Sequence, residues 1–299
     1  MTKRAVSTYL IFIGILLIIV LGWYAASFLN REPVSVSFDS SRAYADVATQ
    51  VAFGPRIPGT DGHTKIEAWI YAELESAGWM VEVQDTERLG HPIHNIIAKR
   101  NTATPQIILG AHYDTRMVAD NDPDPAKQTE PVPGANDGAS GVALLLELAR
   151  SLPKDTTSTW LVFFDTEDNG RIKGWDWILG SRAFAEEMQV RPQAVVVVDM
   201  IGDADLNIYL ERNSNVGIRT EIWSTAAKLG YSKQFINQEK FSMEDDHTPF
   251  LEAGIPAVDL IDFDYPYWHT TQDTPDKVSA KSLQAVGDTL LHWVMEHSR

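Results

Sequence analysis

The sequence predicts an α/β fold in which a mostly parallel or mixed sheet is packed between helices, and three observations carry that prediction. Segments with helical spacing of apolar residues alternate with short apolar runs, the order that builds strand–helix–strand units. Two of the runs, 159–164 and 194–198, are apolar without alternation, as strands covered on both faces are. With 44% hydrophobic and 22% charged residues over 299 positions, the composition is globular and the length suits one large domain or two small ones.

The first thirty residues stand apart. From Ala5 to Leu29 the chain is almost wholly apolar, centred on Leu10 to Leu21, and about 20 such residues in a helix cross a hydrocarbon layer of roughly 30 Å. Trp23 and Tyr24 sit near its far end, where amphipathic rings favour the headgroup region, and Lys3 and Arg4 precede it. The expectation is a cytoplasmic tail over 1–7, a transmembrane helix over 8–29, a linker over 30–38 and one domain over 39–299 outside the cytoplasm. A cleaved signal peptide ending near Ala25-Ala26-Ser27 is the competing reading, disfavoured by the length of the apolar run.

Within the domain the elements follow in order. A helix over 63–77 carries Ile66, Trp69, Ile70 and Leu74 on one face and stops at Gly78. Strands are expected at 80–84, 95–99 and 107–109, then a helix over 140–152 with Val142, Leu145, Leu146 and Ala149 at helical spacing. The strand at 159–164, a helix near 181–188, the strand at 194–198, a helix over 216–229, a strand at 257–261 and an amphipathic helix over 280–296 complete the series. Neither a second linker nor an internal repeat follows residue 38.

Composition excludes some chemistry. There is no cysteine, so neither a disulfide framework nor a thiolate ligand or nucleophile is possible. A net charge of −16, from 41 acids against 25 bases, argues against a nucleic-acid partner.

The residues just after each apolar run point to a site. Leu109 leads into Gly-Ala-His112-Tyr-Asp114, Phe164 into Asp165-Thr-Glu167-Asp168, Val198 into Asp199-Met-Ile-Gly, and the strand at 257–261 into Tyr267-Trp268-His269-Thr. A glycine-rich loop, Pro133-Gly-Ala-Asn-Asp137-Gly138, precedes a helix. Ligands of open α/β sheets bind beyond the carboxyl ends of the strands. A single Asp in such a place is ordinarily a turn former or cap, and a single His packs. Together, so many acids beside apolar strands must be paired or coordinate a metal, and few bases are near them. Imidazole with carboxylate and no thiolate is the donor set of catalytic zinc.

Those motifs, with Leu179-Gly-Ser-Arg182 and Asp245-Asp246-His247-Thr-Pro-Phe, resemble the family of co-catalytic zinc aminopeptidases that also contains the animal-type glutaminyl cyclases, metallopeptidase family twenty-eight. The likeness covers nearly all of 39–299 and implies a mixed eight-stranded sheet with helices on both faces. It also implies one or two zinc ions, with Asp137 as the central ligand, His112 and Asp199 completing one position, and Asp168 and His269 the other. Glu167 matches the general acid/base. Asp168 departs from the glutamate usual in the aminopeptidases, and Glu167-Asp168 resembles some bacterial glutaminyl cyclases.

Two reactions at the N-termini of peptides are then expected. Glutaminyl cyclisation is favoured by Trp268 directly before the ligand histidine, by the acidic 245–247 loop with Asp245 supporting the proton network, and by an aromatic rim at Trp175 and Trp177. The alternative is a zinc aminopeptidase hydrolysing the first peptide bond, which the retention of His112 and Asp199 keeps open. A metal-free receptor-like ectodomain is the third possibility, although every ligand position still holds a zinc-capable residue.

Overall fold

Apolar runs too short for helices pair where their backbone groups can find partners, and here they build the centre of a sheet. The computed structural model describes residues 36–156 and 158–298. In chain order the strands are β1 (Met80–Arg88), β2 (His91–Lys99), β3 (Ile107–His112), β4 (Thr159–Phe164), β5 (Ala194–Asp199), β6 (Ile208–Leu210), β7 (Phe235–Glu239) and β8 (Ala257–Ile261). Six of them form one sheet in the order β1-β2-β4-β3-β5-β8. The pairs β4–β3, β3–β5 and β5–β8 are parallel, and β1–β2 and β2–β4 antiparallel. This is the mixed, mostly parallel sheet expected.

The expected eight-stranded sheet is corrected in one respect: β6 and β7 pair only with each other. The outer edge of β8 is already occupied. The Asn215 N–H donates to the Ala257 carbonyl at 2.8 Å, and the Asp259 N–H donates to Ser214 Oγ at 3.0 Å, so the edge groups that a further strand would need are taken.

The helices are α1 (Ser40–Ala52), α2 (Asp61–Ser76), α3 (Ala139–Ser151), α4 (Leu179–Glu187), α5 (Val216–Lys228), α6 (Thr248–Glu252) and α7 (Ala280–His297), with a 3-10 turn at Pro275–Lys277. Helix α3 lies on β3, β4 and β5, flanked by α1, α2 and α7, while α4 and α6 pack together on the other side of the sheet. A Cβ at Gly141 would meet the Val198 carbonyl oxygen at 2.7 Å and the Ala111 methyl at 2.9 Å, so glycine lets α3 sit close on β3 and β5. Strands β3 and β4 are buried along their whole length, which is why their sequences do not alternate.

Two local differences from the sequence reading have simple causes. β1 and β2 run on into a tight hairpin at Leu89 and Gly90, both with positive φ (53° and 84°), as a two-residue turn of this kind requires. The polar stretch 85–94 hides that extension. Helix α1 was not expected; its apolar stripe is short and of small residues (Ala43, Val47 and Val51), and it is started by Asp39, whose Oδ1 accepts the N–H groups of Ser41 and Arg42.

The expected transmembrane segment at 8–29 lies outside the described residues. Among the described residues no helix is long and apolar enough to cross a membrane.

Candidate active site

The parallel strands place their carboxyl ends at one edge of the sheet, and the sequence puts acids and imidazoles there. His112 ends β3, Asp199 ends β5, Glu167 and Asp168 follow β4, and His269 follows β8. Asp137 comes from the loop ahead of α3. That loop is shaped by Gly138 (φ 87°), where a Cβ would strike the Asp114 carbonyl oxygen at 2.7 Å. The fully buried Arg56 donates to the carbonyls of Pro133 and Gly134, both at 2.6 Å, while Asp273 accepts the N–H groups of Asn136 (2.8 Å) and Asp137 (3.1 Å). Asp137 is therefore held from both sides.

Two triads of ligand atoms result, each within 4.8 Å: His112, Asp137 and Asp199, and Asp137, Asp168 and His269. His112 Nε2 is 3.2 Å from both Asp137 Oδ1 and Asp199 Oδ1. His269 Nε2 is 2.9 Å from Asp168 Oδ1 and 3.8 Å from Asp137 Oδ2. Behind each imidazole stands another carboxylate, Asp114 Oδ1 at 3.5 Å from His112 Nδ1 and Asp120 Oδ1 at 3.4 Å from His269 Nδ1. Metal-bound histidines usually have such an outer carboxylate, which fixes the ring and its tautomer.

The site is short of positive charge. Burial, with Asp137 adding to it and His269 opposing, lifts the Asp168 carboxyl to about 6. Burial also lifts Asp199 to about 7 against the pull of His112. His269 is raised to about 9, because Asp168 and Asp120 outweigh the burial that would lower it. Asp137 Oδ2 and Asp168 Oδ2 are buried without a hydrogen-bond partner. Orphaned carboxylate oxygens among imidazoles fit a divalent cation, and the oxygen–nitrogen donor set without sulfur fits zinc.

Glu167 is only partly covered and reaches the cavity in front of the triads. Burial pushes its carboxyl well above the ordinary range, and Asp168, Asp246 and Asp245 add to this against His112. Its N–H donates to Asp114 Oδ1 at 2.9 Å and that of Asp168 to Asp114 Oδ2 at 3.2 Å, which fixes the turn carrying both side chains. Asp199 and Asp245 line the same cavity of about 360 Å³, as do Trp268, Phe263 and Trp177. Trp268 packs edge-on to Phe263 at 4.7 Å and lies 3.9 Å from the His269 ring.

Of the aromatic residues expected at the rim, Trp268 and Trp177 are there and Trp175 is not. Trp175 turns outward, stacks on His91 at 3.5 Å and packs against the cluster of Ile93, Leu179 and Ala183. Regular extended backbone would put residues two apart on the same side, but the chain turns into Trp175, whose N–H donates to the Ile172 carbonyl at 2.9 Å. Trp177 bridges to Asp168 and stacks on the His269 ring at 5.9 Å, which places it at the cavity.

Sequence reasoning missed the residues that hold the ligands: Arg56, Arg116, Asp120 and Asp273. Arg116 joins Asp120, at 2.6 Å, to the Asp168 carbonyl, at 2.9 Å. For Asp273 a signal existed in the Thr-Gln-Asp-Thr run after His269. Asp120 lies in a polar loop with nothing to distinguish it.

The model of peptidase family M28 matches residues 95–294. Among solved structures, the glutaminyl cyclase of Porphyromonas gingivalis is similar at 36% identity and a TM-score of 0.83, covering 88% of this chain and 100% of that one. A leucine aminopeptidase precursor from Bacteroides thetaiotaomicron is similar at 33% identity and a TM-score of 0.82, over 88% and 99%. The glutaminyl-peptide cyclotransferase of Boiga irregularis is 29% identical, over 81% of this chain and 77% of its own.

Proposed function

The chain belongs to peptidase family M28, and from that premise we propose that it is a zinc-dependent glutaminyl-peptide cyclotransferase, turning an N-terminal glutamine into pyroglutamate with release of ammonia. One observation carries the reading. Of the two triads only Asp137, Asp168 and His269 all line the cavity; both imidazoles are equally buried, but His112 is not part of the cavity wall. A single ion held by that open triad is enough for cyclisation, and the similarity to glutaminyl cyclases of known structure supports the same conclusion.

Zinc at this place supplies Lewis-acid polarisation of the glutamine side-chain amide. The rest is done by side chains. Glu167 Oε takes a proton from the α-amine as its nitrogen bonds to the amide carbon, and returns the proton to the amide nitrogen, which leaves as ammonia. A carboxyl held well above the ordinary carboxylate range by burial is suited to both halves of that transfer. Asp199, half-buried, and Asp245, buried, line the same cavity and serve the proton network. Trp268, Phe263 and Trp177 enclose the folded-back side chain, and the small cavity keeps it against its own amine.

The second reading is an aminopeptidase, favoured by the completeness of the His112–Asp137–Asp199 triad, which shares Asp137 with the first as a two-ion site would. In that case Glu167 is the base for an attacking water. Incubation with Gln-initiated and Leu-initiated peptides, read by mass, separates the readings. Loss of ammonia alone is expected; release of the first residue without any pyroglutamyl product would replace the cyclase with the peptidase. Neither product, together with no zinc on metal analysis, would leave the receptor-like ectodomain. The apolar run at 8–29 and the basic residues before it support a catalytic domain anchored outside the cytoplasm.

A further inference from the structure

The cavity wall carries six carboxylates, and one guanidinium that plays no part in the chemistry above, that of Arg171. Arg171 is exposed, and among the described residues no carboxylate lies within ion-pair distance of it. The acid on the same rim, Glu244, is already engaged by Arg182 at 3.1 Å, so it does not neutralise Arg171.

The backbone beneath Arg171 is held firmly. Arg116 Nη1 donates to the carbonyls of Asp168 (2.9 Å) and Gly170 (3.2 Å), and the Met117 N–H donates to Asn169 Oδ1 at 3.1 Å. Gly170 lies flat on the Trp177 ring, where a Cβ would come within 2.3 Å of ring carbons. Arg171 itself is left-handed, with φ 61°, a conformation that costs a non-glycine residue on the order of 1 kcal/mol and persists where surroundings impose it. A pinned, strained turn thus presents a free cation at the mouth of an acidic cavity.

Reach decides what that cation meets. Arg171 is three residues beyond Asp168, so the two Cα atoms are at most about 11 Å apart. A peptide whose first residue is at the metal triad runs outward at roughly 3.3–3.6 Å per residue, so its second and third residues span the distance to the guanidinium on the same cavity wall. We propose that Arg171 is a specificity-determining residue that selects peptides with a carboxylate close behind the reacting N-terminal residue. The carboxylate has two sources, an acidic side chain at position two or three or the free C-terminus of a very short peptide. The inference rests on the reading that this cavity takes peptide N-termini, whichever reaction follows.

The test compares kcat/KM for Gln-Glu-Ala-amide, Gln-Ala-Ala-amide and Gln-Lys-Ala-amide, and for Gln-Ala as amide and as free acid, in the wild type and in Arg171→Ala, Arg171→Lys and Arg171→Glu. An exposed ion pair shifts such a ratio up to about fivefold, less in high salt. The wild type is therefore expected to prefer the Glu over the Lys peptide by roughly five- to tenfold at low salt, because one attracts and the other repels. Arg171→Ala should bring that ratio near one, Arg171→Lys should keep most of it, and Arg171→Glu should reverse it. A reversal on charge reversal is something a merely structural role would not produce. Preference for the free acid of Gln-Ala over its amide marks the C-terminal source, and preference confined to the Glu side chain marks the other. Equal rates on the Glu and Lys peptides in the wild type, or a ratio unchanged in Arg171→Ala, would overturn the proposal. If no Gln peptide is cyclised, the same series begun with Leu and read for free leucine applies. If neither series turns over, calorimetric binding of the Glu and Lys peptides reads the same ratio.

Discussion

His269 and Asp137 show how much a single side chain decides here. Each contributes an atom to the open triad, so Asp137→Ala and His269→Ala are expected to abolish both zinc binding and turnover. Glu167→Gln should retain zinc and lose activity by about 10²–10⁴-fold, because it removes a proton carrier and no ligand. Wild-type zinc content in the first two variants, or a near-normal rate in the third, would show the roles to be misassigned. Trp268 is fixed between Phe263 and His269. Trp268→Ala should therefore lower glutaminyl turnover by about 10²-fold through lost orientation, with zinc unaffected. A mere shift in preference among first residues, worth roughly 1–3 kcal/mol, would instead be the behaviour of a peptidase pocket. The identities of these residues were legible in the sequence because metal chemistry restricts which side chains can serve. Which tryptophan faces inward was not legible, since Trp175 and Trp177 have the same chemistry and differ only in side.

At the level of elements, loops far apart in sequence hold the site in shape. Asp273 accepts two N–H groups of the loop that carries Asp137 and receives the Tyr265 hydroxyl at 2.6 Å. Asp273→Ala should weaken zinc affinity by about 10–100-fold without removing a ligand, measured by competition with a chelator; unchanged affinity would mean that the loop holds its shape alone. Glu211 does similar work beside β8. It accepts the N–H groups of Asn213 (3.0 Å), Ser214 (2.6 Å) and Met243 (2.9 Å) and the Ser214 hydroxyl (2.8 Å), with His247 Nε2 at 3.5 Å. Burial alone would raise its carboxyl, but these donors, His247 first, hold it down at about 2. A depressed carboxyl stabilises the fold fully above its unfolded value of about 4.3, and the contribution is lost as pH falls towards 2. Glu211→Gln should therefore be less stable than the wild type at pH 7, by an amount on the order of 3 kcal/mol. The gap should close between about pH 4.3 and 2. A gap independent of pH would assign the effect to packing. Apart from Asp273, which stands in the Thr-Gln-Asp-Thr run after His269, none of this had a sequence signal, because each contact joins segments that show only ordinary loop composition.

At the scale of the whole molecule, the apolar run at 8–29 makes a testable statement about topology relative to the membrane. An anchor over 8–29 predicts that the protein resists carbonate extraction and keeps its N-terminus. Release of a chain beginning near residue 28 would show a signal peptide instead. From Ser37 on, the chain forms one compact unit, and its fold class was readable from the alternation of elements and the unbroken apolar character of β4 and β5, since burial on both faces imposes that pattern. So was the general place of the chemistry, because parallel strands deliver their carboxyl ends to one edge. The sequence by itself thus determined element types, their order, and the acids and imidazoles that end the strands. Only the tertiary structure decided that β6 and β7 stay out of the main sheet, that His269 lines the cavity while the equally buried His112 does not, and that Asp120, Asp273 and Arg116 secure the ligands. The physical reason is one of range. Periodicity and turn chemistry act over a few residues, whereas Asp273 meets Asp137 across 136 positions, and that meeting depends on how the layers pack.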